Sequence, residues 1–218
     1  MANFLLDNCI IAPLTLELIN ECEQYHCSKE NDIEKFFHSE FGDYNSELLG
    51  KTYCFVTQGS PRKMVCAFTV SNSSINVSNL SNRRRKKIDK SIPHRKHHPQ
   101  YPAVLVGQLA VFDEFRKKGI GVEMMNFIKS WFIDPLNKTG CRFVIVDALN
   151  KKPVIDFYRT NGFETVFETE EEENSVMKKV APRRGLLQII KDVFGKNKIS
   201  NRVTRLMFFD LILLKGNK

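Results

Sequence analysis

No stretch of this 218-residue sequence is apolar over the roughly 18 residues that a membrane-spanning helix needs. The longest late candidate, Phe208 to Leu214, is short and carries Asp210. A basic segment followed by an apolar one is missing at the start, where Asp7 interrupts Phe4-Leu5-Leu6. The expectation is a cytoplasmic protein with no secretion signal and no membrane span. None of the six cysteines (Cys9, Cys22, Cys27, Cys54, Cys66, Cys141) stands in a C-x-x-C pair. Cys22, His26 and Cys27 are close together, but no second ligand pair follows at zinc-like spacing, so no metal is expected. Internal repeats and low-complexity linkers are absent as well.

What is present reads as a soluble globular domain. Hydrophobic residues make up 42% and charged residues 27%, and 17 Phe supply bulky core material. The length suits a single domain over residues 1–218. The net charge of +8 is unevenly placed. Residues 1–80 carry −5 and residues 101–180 carry −1, whereas residues 81–100 and 181–218 each carry +7. Two basic segments on one domain suit an anionic partner.

Along the chain, Leu14 to Asn20 has helical spacing after Pro13, and Ser28 can cap a helix over Asn31 to Glu40. Thr52–Thr57 and Met64–Val70 read as strands joined by a turn at Gln58 to Pro61, and Ile75 to Leu80 as a third short strand. Residues 81–100 show no apolar periodicity and read as a basic loop. Ala103 to Val111 is an apolar strand. Ile120, Met124, Phe127, Ile128 and Trp131 then form one helical stripe, stopped at Asp134-Pro135. Cys141 to Ala148 is a continuous apolar run, as in a strand covered on both faces. Pro153 starts a further helix that Asn161-Gly162 closes, and Phe163 to Phe167 is a strand. This alternation predicts an α/β fold with parallel strands at the centre. Glu170 to Glu173 reads as an exposed turn. Leu186, Leu187, Ile190, Val193 and Phe194 read as a basic amphipathic helix, within an insertion over residues 171–200. The last strand runs from Arg202 to Leu214.

The segment with a chemical signature is the strand–loop–helix joint at Arg116-Lys117-Lys118-Gly119-Ile120-Gly121. An anion there meets free backbone N–H groups and the positive end of a helix dipole. Glycines let a phosphate approach the main chain, and Arg116, Lys117 and Lys118 add charge at the rim. A pyrophosphate fits. The joint lacks the Gly-Lys-Ser/Thr of a Walker loop, and it is not the G-x-G-x-x-G dinucleotide pattern.

Gln108-Leu109-Ala110-Val111 followed by this loop resembles the Q/R-x-x-G-x-G/A signature of GNAT acyltransferases. Phe157-Tyr158-Arg159-Thr160-Asn161-Gly162-Phe163 resembles a second signature of that family. The two together cover about residues 103–168. A wider resemblance, through Tyr25 to Ser28, Ile33 to Phe37, Lys51 to Tyr53 and Pro102 to Val111, is to a GNAT branch that includes toxins acetylating the amine of aminoacyl-tRNA. The resemblance implies a GNAT-like mixed central β-sheet, with parallel central strands flanked by helices. It implies an N-acetyltransferase that moves an acetyl group from acetyl-CoA to an amine by direct attack. It places the cofactor on Leu109, Ala110, Val111, Arg116, Lys117, Lys118, Gly119, Ile120, Gly121 and Val122, and makes Tyr158 the general acid. An asparagine that many members carry seven residues before the tyrosine is Lys151 here, with Asn150 one step earlier. The acceptor stays open among a small molecule, a peptide and an aminoacyl-tRNA, and no residue is singled out as general base. A homodimer and an antitoxin are partners the resemblance allows. The alternative is a GNAT-like protein that binds acyl-CoA or RNA without chemistry.

Overall fold

The computed structural model describes residues 3–27, 31–89, 92, 99–180 and 203–215. They pack as two compact units, each discontinuous in sequence. Met1–Ser74, Pro102–Val146 and Phe209–Lys218 form the first, and Ile75–Tyr101 with Asp147–Phe208 the second.

In the first unit lie strands β1 (Cys9–Pro13) and β2 (Lys51–Thr57) and the greater part of β3 (Met64–Asn76), β4 (Gln100–Val111) and β5 (Phe143–Leu149), side by side in that order. β1, β2 and β3 pair antiparallel. β4 and β5 pair parallel, from Ala103–Phe143 to Val106–Val146, giving the mixed α/β sheet that the apolar runs predict. The helices are α1 (Phe4–Asn8), α2 (Leu16–Glu21), α3 (Asn31–Lys35), α4 (Phe41–Ser46) and α6 (Ile120–Ile133), with a π-helical turn at Phe36–Glu40 between α3 and α4. Pro13 does not open α2. It ends β1, and the Thr15 hydroxyl caps the helix by accepting the Leu18 N–H at 3.2 Å. The expected cap at Ser28 falls outside the described residues.

α6 buries Ile120, Met124, Met125 and Ile128. Its half-buried Phe127 stacks edge-on to Phe55 at 5.0 Å, and Trp131 to Tyr53 at 4.8 Å. Lys129 is also buried, its ammonium 4.3 Å from the Phe209 ring centre, and burial lowers its pKa. A second cluster joins Leu14, Leu18, Tyr25, Cys27, Phe36, Phe37, Cys54, Met64, Ala110 and Phe112. Each fully buried Phe there contributes about 2–3 kcal/mol of transfer free energy.

The buried thiols belong to this packing. Desolvation pushes Cys54 up to about 12 and Cys9 to about 11, and raises Cys66 too. Because the thiolate is the reactive form, iodoacetamide at pH 8 should label half-buried Cys22 and Cys141 first. Labelling of Cys9, Cys54 and Cys66 should wait for unfolding or strongly alkaline pH. Peptide mass mapping against time reads the order, and early modification of Cys54 would contradict it.

The second unit holds α5 (Asn82–Asp89), α7 (Lys152–Thr160), α8 (Glu170–Val180), β6 (Glu164–Thr165) and, up to Phe208, its antiparallel partner β7 (Thr204–Asp210). Three expectations change. Ile75 begins no strand of its own, because β3 runs without a break to Asn76. Ser71-Asn72-Ser73-Ser74 is a composition that favours loops, yet the strand carries it without a break. The expected basic loop at 81–100 contains α5 instead. Ser81 caps it, and Arg84 (14% exposed) reaches the Glu164 carboxylate at 3.2 Å and both oxygens of Thr165. Buried Ile88 lies four residues on, on the same face. A basic helix thus buries an Arg–Ile face that apolar periodicity alone does not show. The acidic run is no exposed turn either. It opens α8, where carboxylates suit the helix dipole, and Glu173 is wholly buried, accepting from Arg205 Nε at 2.7 Å and from the Leu206 N–H at 2.8 Å. β6 is shorter than the strand expected over Phe163 to Phe167, and β7 gives way at Leu211 to a 3-10 turn. The expected amphipathic helix around Leu186 to Phe194 lies outside the described residues.

Candidate functional site

β4 is the rail on which the candidate site is built. Its ladder to β5 ends at Val106–Val146, so Gly107 to Val111 continue without a β5 partner. Leu109 and Val111 are half-buried and Ala110 is buried in the core cluster. Phe112 ends the strand. Its N–H donates to the Val65 carbonyl at 3.1 Å, and its ring is almost wholly buried. A 3-10 turn over Asp113–Phe115 follows, and then the loop.

Two residues of the loop have left-handed backbone, Lys117 (φ 59°) and Gly119 (φ 81°). Gly119 is the N-cap of α6, and its carbonyl accepts the N–H groups of Val122 at 2.9 Å and Glu123 at 3.2 Å. Among the described residues, no backbone carbonyl accepts from the N–H groups of Lys117, Lys118, Gly119, Ile120 or Gly121. A Cβ built at Gly119 meets nothing within 4 Å, so the space over the loop is open. Lys117 and Lys118 are exposed, and the Lys118 ammonium lies 5.5 Å from the Phe115 ring centre. Ile120 is buried and anchors the helix, while Val122 faces outward. Successive unpartnered N–H groups at the start of a 14-residue helix, beside two lysines, form an anion cradle.

Arg116, with its side chain 27% exposed, does more than add charge at the rim. Its Nε donates to the Val111 carbonyl at 3.0 Å and pairs with Asp113 at 3.2 Å, and its terminal nitrogen reaches the Cys27 sulfur at 2.8 Å. These contacts brace the turn. Cys27 and Asp113 are therefore parts of the site, although 89 residues separate Cys27 from Arg116 and no sequence spacing links them. The His26 ring and the Cys27 N–H both meet the Glu34 carboxylate, and among the described residues no group of three His, Cys, Asp or Glu could hold a metal ion.

Tyr158 stands in the second unit, on α7. It is 9% exposed, with its ring 5.2 Å from Phe157 and 5.5 Å from Phe163, edge to face. Gly162 (φ 81°) closes α7 as predicted. The Gly162 N–H donates to Arg159 and the Phe163 N–H to the Tyr158 carbonyl, the paired bonds of a Schellman cap. The cap fixes the backbone at Tyr158. Asn150, one step before Lys151, ties its own N–H to the Val203 carbonyl at 2.8 Å.

Residues 90–165 match the family model of the acetyltransferase (GNAT) domain, a span that takes in both signatures. The fold is similar to those of several solved structures. A mutant of KacT is 16% identical at a TM-score of 0.59, covering 96% of this chain and 98% of that one. AtaT complexed with acetyl-methionyl-tRNAfMet is 18% identical at 0.57, covering 95% and 98%. A mutant of the toxin AtaT bound to the C-terminus of the antitoxin AtaR and acetyl-CoA is 17% identical at 0.52, covering 97% and 100%. No curated protein matches the sequence.

Proposed function

Starting from the GNAT acetyltransferase fold, we propose that this protein is an acetyl-CoA-dependent N-acetyltransferase whose acceptor is the amine of an aminoacyl-tRNA. The observation that carries the cofactor assignment is the loop itself. Among the described residues five adjacent N–H groups have no carbonyl partner, Gly119 keeps the space above them open, and Lys117 and Lys118 are exposed beside them. A pyrophosphate satisfies all of these groups together. The main chain of Leu109 to Val111, past the end of the β5 ladder, can offer polar groups to a pantetheine arm, the Val111 carbonyl excepted because Arg116 takes it. Of the residues the sequence assigns to the cofactor, Leu109, Ala110, Val111, Lys117, Lys118, Gly119, Ile120, Gly121 and Val122 remain in that role, and Arg116 braces them.

Bound acetyl-CoA supplies a thioester that an amine can attack directly, so no covalent intermediate on the protein is needed. The chain holds the two partners together and offers backbone donors to the acyl oxygen. Tyr158 keeps a phenolic proton for the leaving sulfur. A phenol is protonated at neutral pH and can donate over a short distance. Its assignment rests on the likeness of Phe157 to Phe163 to the family's second signature.

The acceptor assignment is supported by charge. α5 exposes Arg83, Arg85, Lys86 and Lys87, and residues 181–218 add a further +7. An antitoxin belongs to the same reading as protein partner. The test is acetyl-CoA with a panel of aminoacyl-tRNA, uncharged tRNA, peptide and polyamine, followed by free thiol and acceptor mass. Thiol release that requires charged tRNA is the expected result. Release with a peptide or polyamine, and none with charged tRNA, would overturn the acceptor.

The cations of α5 have acidic neighbours: Glu168 lies 3.8 Å from Arg83, Asp89 3.7 Å from Arg85, and Glu164 beside Lys87. Arg83 (90% exposed) and Lys86 are the two best placed to reach phosphates. Changing both to Glu should weaken tRNA binding and lower the slope of log affinity against log salt by about 2. An unchanged slope would make α5 a solvated face only.

A further inference from the structure

Three consecutive residues, Tyr25, His26 and Cys27, form a strap in the first unit, and each is tied on two sides. The Tyr25 ring stacks on His38 at 4.3 Å and tilts against Phe112 at 4.6 Å, and its hydroxyl donates to the Phe37 carbonyl at 3.1 Å. The His26 carbonyl accepts the Asp113 N–H at 3.0 Å, while its ring Nδ1 lies 3.2 Å from Glu34. The Cys27 N–H donates to the other oxygen of Glu34 at 2.6 Å, and its sulfur accepts from Arg116 at 2.8 Å. On the far side, Arg116 holds the Val111 carbonyl and Asp113. One side chain on α3 thus fixes a strap that grips both ends of the turn between β4 and the loop.

We propose that Cys27 and Glu34 are positioning residues for the cofactor: Glu34 holds the strap, the wholly buried Cys27 sulfur holds the Arg116 guanidinium, and Arg116 holds the turn that aims the loop's N–H groups. This rests on the reading of residues 116–122 as the acetyl-CoA site. A guanidinium that loses a buried acceptor keeps its other bonds but gains freedom to rotate, and the N–H cradle loses its fixed direction. A hydrogen bond to a charged group is strong enough for its loss to matter at the tenfold level.

The experiment uses the full chain and compares Cys27→Ala, Cys27→Ser and Glu34→Gln by calorimetric titration with acetyl-CoA, steady-state kinetics and thermal melting. Ala removes the acceptor. Ser restores one, but buries a hydroxyl where a thiol packs well. The expected result is an acetyl-CoA Kd about 10-fold weaker for Ala, recovered to within a few-fold by Ser, although Ser melts no higher than Ala. The KM for acetyl-CoA should rise with kcat nearly unchanged. Glu34→Gln keeps one carbonyl acceptor for the Cys27 N–H and should fall between wild type and Cys27→Ala. A purely structural role predicts the reverse order, with affinity following melting temperature and Ser no better than Ala, and that order would overturn the proposal. So would wild-type affinity in all three variants. If the unmutated protein fails to bind acetyl-CoA, the assignment of the loop falls first, and this inference with it.

Discussion

Tyr158→Phe should turn over about 10²–10⁴-fold more slowly than the parent while binding acetyl-CoA as tightly, the range typical of a lost general acid. The substitution removes one oxygen and keeps the ring that packs against Phe157 and Phe163. The Schellman cap that fixes α7 uses only main-chain groups of Tyr158, Arg159, Gly162 and Phe163. Fold and melting temperature should therefore change little. Steady-state turnover can hide the effect when product release is slow, so the decisive measurement is a single-turnover rate with saturating acetyl-CoA. A wild-type rate there would remove Tyr158 from the chemistry and leave it as a residue of an aromatic cluster.

Gly119→Val should abolish measurable acetyl-CoA binding, a loss of at least about 100-fold. Two costs combine. A β-branched residue at φ 81° is strained by about 1–2 kcal/mol, which appears as a lower melting temperature. The larger effect is steric and local: on the proposed reading, the open space over Gly119, where a Cβ meets no described protein atom within 4 Å, is the space a phosphate would use to reach the N–H groups. Gly119→Ala separates the two costs, since it carries most of the backbone strain and less of the bulk. Calorimetry showing undiminished affinity for the Val variant, with the protein still folded, would move the pyrophosphate elsewhere.

The parts of this architecture legible in the sequence are those governed by local period or by a short signature. The stripe from Ile120 to Trp131, the apolar runs of β4 and β5, and the Asn161-Gly162 cap all appear where the spacing puts them. The loop at 116–121 was legible for the same reason, as a strand end, glycines and a helix start in order. What escaped depends on partners distant in sequence. α5 looks like a loop because its buried face consists of an arginine and an isoleucine, and Arg84 can be buried only because Glu164 and Thr165 meet it 80 residues later. The acidic run looks exposed for the same reason, since Glu173 is buried through Arg205. Arg116 reads as a rim charge until Cys27 appears beside it.

Glu173 accepts from both Arg205 and Leu206, and so pins the start of β7 to the first turn of α8. Ion pairing of Arg205 with Glu170 adds a second fastening. The first turn of α8 and the start of β7 are consequently moored to each other whatever lies between them. Lengthening what lies between changes mainly the entropy of closing a loop, about 0.6 kcal/mol for each doubling. That makes the stretch between α8 and β7 a natural graft point, where this lineage could gain or lose whole modules while β7 keeps its register with β6.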